Sequence, residues 1–91
     1  EEGLDIMIMC VRKILKETET LLIRKNKMYG DGNIDKIGEE GIIVRIEEKV
    51  ERLKHLLSAK QDFAEETIED TWNDIIGYGI IGLMVKRKKW K

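Results

Sequence analysis

The chain has 91 residues, of which 38% are charged, and its 17 basic and 18 acidic side chains give a formal net charge of −1. The length predicts one domain, residues 1–91, with a small core, and the balanced charge gives no overall field to attract nucleic acid or an anionic membrane. The single cysteine excludes an internal disulfide, which favours a cytoplasmic setting. One cysteine and one histidine cannot complete a zinc site, so a bound metal would be oxygen-ligated Mg²⁺ or Mn²⁺.

A first amphipathic helix is predicted from about Leu4 to about Asn26. Apolar side chains, with one threonine among them, recur there at steps of three and four residues. These positions are Leu4, Met7, Ile8, Val11, Ile14, Leu15, Thr18, Leu21 and Leu22. Such a pattern is typical of a helix that packs one face against a neighbour.

A glycine-rich segment, KNKMYGDGNIDKIGEEG, follows and predicts a loop. Its glycines stand beside Asp31 and Asn33, and all of these residue types are frequent in turns. No other segment of the chain predicts a long loop. We therefore expect residues 27–40 to be mobile, and to become protected when a ligand binds.

A second helix is predicted from about Gly41 to about Ala59. Its apolar seam alternates steps of three and four residues, at Ile43, Ile46, Val50, Leu53 and Leu57. This spacing favours packing against a neighbouring helix at a shallow angle. The short stretch SAKQD then predicts a turn, after which a third helix should return antiparallel to the second.

The third helix is predicted from near Asp62 to near Lys88. Residues 75–85 are all apolar or glycine, a run too short for a membrane span of about 20 residues. A helix that is apolar on all sides must be surrounded, and two partner helices cannot cover it. Its three glycines, Gly77, Gly79 and Gly82, would permit close approach of a second helix. The expected fold is an all-α, three-helix antiparallel up-down bundle, completed by homo-oligomerisation as a dimer or tetramer.

Carboxylates on the second and third helices form a candidate metal site. Glu48 and Glu51 are neighbours on one face of the second helix, and Asp70 and Asp74 are neighbours on the third. Acids that face each other across an antiparallel pair repel, and a shared Mg²⁺ ion would remove the conflict. Such an ion could support attack of water on a polyphosphate. The alternative is that Glu47 and Glu51 pair in water with Lys54, Arg52 or His55 of their own helix.

Basic residues form a candidate phosphate-binding face on the second helix, at Arg45, Lys49 and Arg52. Arginine suits bidentate contacts to phosphate. The alternative is an exposed face laced with ion pairs such as Glu48–Arg52. The closing KRKKWK could grip a nucleic-acid backbone, but basic residues also suit any helix C-terminus, and nucleic acid is the less favoured partner. Trp72 and Ile68 are predicted to lie in the core.

Four sequence blocks together resemble the nucleotide-modification-associated domain family of phages and prophages. They are KNKMYGD, RIEEKVERL, EETIEDTWNDIIGYGIIGLM and KRKKW, in this order. That family is in turn similar to the all-alpha NTP pyrophosphatases, the group of MazG and the dimeric dUTPases. The resemblance implies a MazG-like helical fold and magnesium-dependent hydrolysis of nucleoside triphosphates to monophosphates and pyrophosphate.

The pyrophosphatase pattern is EExxE, a gap, and then ExxD on the next long helix. EEKVE matches its first half, and TWND keeps Asp74 but has Thr71 where the pattern has an acid. The resemblance implies that Glu48, Glu51 and Asp74 are catalytic, with Glu66 or Asp70 as a substitute for the missing acid. For the block KNxxYGD it implies nucleotide contacts by Lys25, Asn26, Tyr29 and Asp31. The alternative for that block is a helix C-terminus closed by Gly30.

Two functions stay open at this point. The first is a nucleotide-binding protein of phage type, with Mg²⁺-dependent pyrophosphohydrolase activity on (d)NTPs as its enzymatic form. The second is a non-catalytic helical adaptor in a phage nucleotide- or DNA-modification system. Pyrophosphate release from a panel of dNTPs, with magnesium and with EDTA, would separate them.

Overall fold

The computed structural model describes residues 1–29, 32–58 and 64–89, and the side chains of residues 28–29, 32–35 and 64–66 are outside this description. The described residues form three helices and no strand: α1 Glu2–Tyr29, α2 Gly32–Ser58 and α3 Ala64–Lys86. The chain divides into two compact units, Glu1–Gly30 and Asp31–Lys91. Along the described ranges, no helix is both long and apolar enough to cross a membrane.

The predicted loop at residues 27–40 is wrong for most of its length. α1 continues to Tyr29, and α2 begins at Gly32. The glycines predicted a loop, but in a helix a glycine costs only about 1 kcal/mol relative to alanine. Among the described glycines, Gly38 alone has a positive φ, with φ 61° and ψ −165°, and it places a kink inside α2. The helix predicted from Gly41 therefore corresponds to the part of α2 after this kink.

The first unit is a single long helix. Its acidic first turn, with Glu2 and Asp5, and Lys27 in its last turn complement the helix dipole. Thr18 is buried, and its Oγ1 donates a 2.9 Å hydrogen bond to the Ile14 carbonyl. The N-terminal half of the predicted apolar face is exposed except for Ile8, which is half-buried.

In the second unit, α2 and α3 pack together and run antiparallel. Lys49 of α2 meets Asp74 of α3, while Ile42, earlier in α2, lies beside Gly82, later in α3. A Cβ atom added at Gly82 would lie 3.7 Å from Ile42 Cγ2. These two contacts confirm the antiparallel return predicted from SAKQD. The contact at Gly82 is an ordinary van der Waals distance, so a side-chain Cβ would fit beside Ile42. Gly79, in contrast, is exposed and has no atom within 4 Å of an added Cβ.

The α2 seam differs from the predicted one by a rotation of the helix. Ile42 and Leu53 are buried, while Ile43, Val50 and Leu57 are exposed. The face turned toward α3 consists of Ile42, Ile46, Lys49, Leu53 and Leu56. On α3 the buried side chains are those of Thr71 and Ile81, and most of the apolar run at residues 75–85 is half-buried. Trp72 is exposed, so its predicted place in the core is wrong.

Candidate functional site

An ion pair between α2 and α3 is the main polar contact in the candidate site. Lys49 Nζ lies 3.1 Å from Asp74 Oδ2, and the two side chains are 30% and 23% exposed. Both residues belong to the half-buried rim of the seam, where their opposite charges attract each other across the two helices. Asp74 was expected to face acids of α2. It faces a lysine instead.

The two candidate acids of α2 lie in solvent and pair within their own helix. Glu48 Oε1 is 3.5 Å from Arg45 Nη1, and Glu51 Oε1 is 3.2 Å from Lys54 Nζ. The Glu51 carboxylate accepts a hydrogen bond from the Lys54 ammonium. The Glu51–Lys54 pair is one that the alternative interpretation of the acids proposed. Glu48 pairs with Arg45 rather than with Arg52, the partner suggested for it on the basic face.

The acids of α3 are only partly described. Asp70 is exposed, and the side chain of Glu66 lies outside the described residues. Thr71, at the position where the pyrophosphatase pattern has an acid, is 2% exposed. Its Oγ1 donates a 2.7 Å hydrogen bond to the Thr67 carbonyl within α3. The hydroxyl is therefore used by its own helix and does not replace a carboxylate ligand.

The arrangement of these acids fits an ion pair better than a divalent cation. In the parts of the chain that the structure describes, no three His, Cys, Asp or Glu side chains are grouped so that they could hold a metal ion. The Lys49 ammonium occupies the interhelical place beside Asp74 where the ion was expected. A magnesium site needs several oxygens around one point, and these side chains would have to rearrange to provide them.

The candidate phosphate-binding face of α2, here called the basic row, consists of Arg45, Lys49 and Arg52. Arg45 and Arg52 are exposed and seven residues apart, so they lie on the same side of the helix. Lys49 stands between them in sequence but is turned toward α3. The row is therefore a half-buried ammonium with an exposed guanidinium about one turn away on each side.

The candidate residues of the KNxxYGD block are divided by the end of α1. Lys25 is exposed and Asn26 is half-buried, both in the last turns of that helix. Asp31 and the side chain of Tyr29 lie outside the described residues. Their predicted contacts to a nucleotide stay predictions.

Sequence reasoning missed the contact between Lys49 and Asp74. A signal for it exists, since Lys49 follows Ile42 and Ile46 and precedes Leu53 at helical spacing. A lysine in an apolar row needs an acid opposite, and Asp74 is at a compatible height when the helices are antiparallel.

This chain matches a known protein-family model. The model described as nucleotide modification associated domain 1 matches residues 25–85. No curated protein matches significantly, and no solved structure does either. The match covers α2 and nearly all of α3, including the ion pair and the basic row.

Proposed function

The chain belongs to the nucleotide modification associated domain 1 family, and from this we propose that it is a nucleotide-binding helical domain which holds phosphate groups with the basic row of α2. The row consists of Arg45, Lys49 and Arg52. The proposal concerns binding. Lys25 is predicted to add a further phosphate contact, and the proposal extends to the base or sugar only through the predicted contacts of Asn26 and Tyr29.

The Lys49–Asp74 pair is the observation that carries this proposal. At 3.1 Å the carboxylate fixes the lysine between two helices, so its ammonium is already positioned. Ordering a lysine in water would cost up to about 2 kcal/mol of side-chain entropy. The exposed Arg45 and Arg52 then add planar donors on the same side of α2, which suit phosphate oxygens.

Magnesium-dependent hydrolysis is the enzymatic form of the proposal, and it requires a rearrangement of the candidate acids. Glu48, Glu51 and Asp74 would have to leave their present basic partners and converge with Asp70 on one ion. Because this arrangement is not assembled, the geometry supports binding without turnover better than pyrophosphohydrolase activity.

Calorimetric titration with a panel of dNTPs, with magnesium and with EDTA, tests the binding proposal. We expect binding to at least one dNTP, and about a tenfold loss of affinity in Arg52→Ala, because a charge-assisted hydrogen bond contributes about 1.5–3 kcal/mol. Arg87→Ala is the matched control, since Arg87 is an exposed arginine beyond the end of α3. Equal losses in the two variants, or no binding at millimolar dNTP, would contradict the proposal.

Pyrophosphate release from the same panel separates binding from hydrolysis. We expect none above the protein-free control in either magnesium or EDTA. Magnesium-dependent release that disappears in Asp74→Asn would establish the enzymatic form and show that the carboxylates do converge.

A helical adaptor in a nucleotide- or DNA-modification system is the second candidate function. The observation that favours it is the extent of exposed apolar surface. Among the described residues only Ile42, Leu53 and Ile81 are buried hydrophobic side chains, while fourteen large hydrophobic side chains are exposed. An adaptor would leave every dNTP of the panel unbound.

A further inference from the structure

The N-terminal half of α1 carries an exposed apolar face, here called the α1 stripe. Its side chains are between 44% and 55% exposed, and they are Leu4, Met7, Val11, Ile14 and Leu15. Further along the same face Thr18 is buried, and Leu21 and Leu22 are half-buried. The exposure is therefore confined to the first four turns of the helix, where five large apolar side chains face water together.

The charges around the α1 stripe are separated along the helix. Residues 1–5 contain three acidic and no basic side chains, whereas residues 12–16 contain three basic and no acidic ones. A second copy in parallel orientation would set like charges against each other. A second copy in antiparallel orientation would set the acidic end of each helix against the basic end of the other.

We propose that the α1 stripe is the surface on which two copies of this chain associate, with their α1 helices antiparallel. The sequence suggested an oligomer from the apolar run in α3. The proposal here assigns a different helix and a defined orientation. It is independent of nucleotide binding, so either proposal can fail without the other.

The antiparallel pairing brings one specific pair of charges together twice. Asp5 and Arg12 are seven residues apart, so they flank the same edge of the stripe. If the pair of helices is centred on the middle of the stripe, between Met9 and Cys10, Asp5 of one copy and Arg12 of the other differ in height by about 3 Å. The long side chain of Arg12 can span that offset, and the two-fold symmetry of the pair repeats the contact.

The first experiment measures the mass of the full chain by light scattering, without nucleotide. We expect twice the 10.6 kDa chain mass at tens of micromolar. Met7→Asp should shift the mass to that of a monomer. Met9→Asp is the matched control, because Met9 is 70% exposed on the opposite face of the same helix, and this variant should stay dimeric.

Three results would overturn the assignment of this surface. They are a monomeric wild type, a Met7→Asp variant that remains dimeric, and equal effects of the Met7 and Met9 variants. A monomer would mean that the stripe is not an interface between two copies of this chain. A dimeric Met7→Asp variant would mean that another surface, such as α3, makes the contact.

The second experiment tests the orientation by charge reversal. Asp5→Arg and Arg12→Asp should each weaken the dimer by about tenfold, because each turns two attractions of a few tenths of a kcal/mol into repulsions. The double variant D5R/R12D should recover the wild-type dissociation constant, since it restores both pairs. Circular dichroism confirms that each variant keeps its helices.

Glu2→Arg and Lys13→Asp are the matched controls for the two reversals, because they make the same kinds of charge change away from the edge of the stripe. They should change the dissociation constant less than their counterparts. A parallel pair would tolerate Asp5→Arg, since Asp5 of one copy would then lie at the acidic end of the other copy, away from its Arg12. Failure of the double variant to recover affinity would also overturn the antiparallel arrangement.

Discussion

Lys88 occupies a backbone conformation that favours glycine. Its φ is +57°, directly after the end of α3. The Lys88 N–H donates to the Val85 carbonyl at 3.0 Å, and the Lys89 N–H donates to the Met84 carbonyl at 2.8 Å. These two bonds are those of a Schellman motif, whose left-handed position is usually a glycine. Here a lysine carries the steric cost.

We predict that Lys88→Gly raises the free energy of unfolding by about 0.5–1 kcal/mol. The left-handed conformation costs an L-residue about 1–2 kcal/mol, and glycine removes this cost. Part of the gain is lost because glycine is more flexible in the unfolded chain. Urea denaturation measures the change. Lys86→Gly is the control. Because Lys86 is the last helical residue of α3, glycine there should lower the free energy of unfolding. A loss of stability in Lys88→Gly would show that the lysine side chain makes a compensating contact.

Gly41 is the glycine whose replacement should be most harmful to α2. A Cβ atom added there would collide with Ile37 Cβ and lie 2.9 Å from Ile37 Cγ1, because the kink at Gly38 brings the preceding turn close. We predict that Gly41→Ala lowers the unfolding free energy, although alanine is normally preferred in a helix by about 1 kcal/mol.

Gly79→Ala provides the matched comparison. Gly79 is exposed in α3, and nothing lies within 4 Å of its added Cβ. This substitution should therefore raise the unfolding free energy by about 1 kcal/mol in the same urea titration. If both alanine variants gain stability, the turn before Gly41 moves freely and Ile37 sets no constraint.

At the level of elements, the sequence predicted three helices and the antiparallel order of α2 and α3, but not the face that α2 turns inward. The rows containing Ile42 and Ile43 both alternate steps of three and four residues. Hydrophobicity alone favours the row with Val50 over the row with Lys49. The structure uses Lys49, because Asp74 on α3 supplies its counter-charge. The orientation of Lys49 depends on its partner on another helix, so the pattern of α2 alone cannot predict it.

We predict that the Lys49–Asp74 pair contributes measurably to stability. A double-mutant cycle of Lys49→Met and Asp74→Asn should give a coupling energy of about 1 kcal/mol, because both groups are half-buried and the pair joins two helices. The Glu51–Lys54 pair is the control. Its side chains are 72% and 69% exposed within one helix, so we expect a coupling below about 0.5 kcal/mol. Equal couplings would mean that the interhelical pair is as well hydrated as the surface pair.

At the level of the whole molecule, more large apolar side chains are exposed than buried among the described residues. The described residues bury three hydrophobic side chains and leave the α1 stripe in water. Composition and periodicity predicted that some apolar surface would need a second copy. They did not single out the exposed face of α1, since the α3 run is more hydrophobic in sequence and yet is mostly half-buried in the structure.

If association covers the stripe, thermal stability depends on protein concentration. We predict that Tm rises when the concentration is raised from about 1 to about 100 µM, because dimerisation stabilises only the folded chain by mass action. The Tm of Met7→Asp should not change over the same range. A wild-type Tm that is independent of concentration would indicate that folding and association are not coupled.

The kink at Gly38 also determines the order in which α2 unravels. Its non-helical dihedral angles interrupt the helix between the short run 32–37 and the longer run that packs on α3. Short helical runs are marginal in water because nucleation is costly. In hydrogen–deuterium exchange, the amides of residues 32–37 should therefore exchange well before those of residues 42–53, and the two runs should open as separate cooperative units.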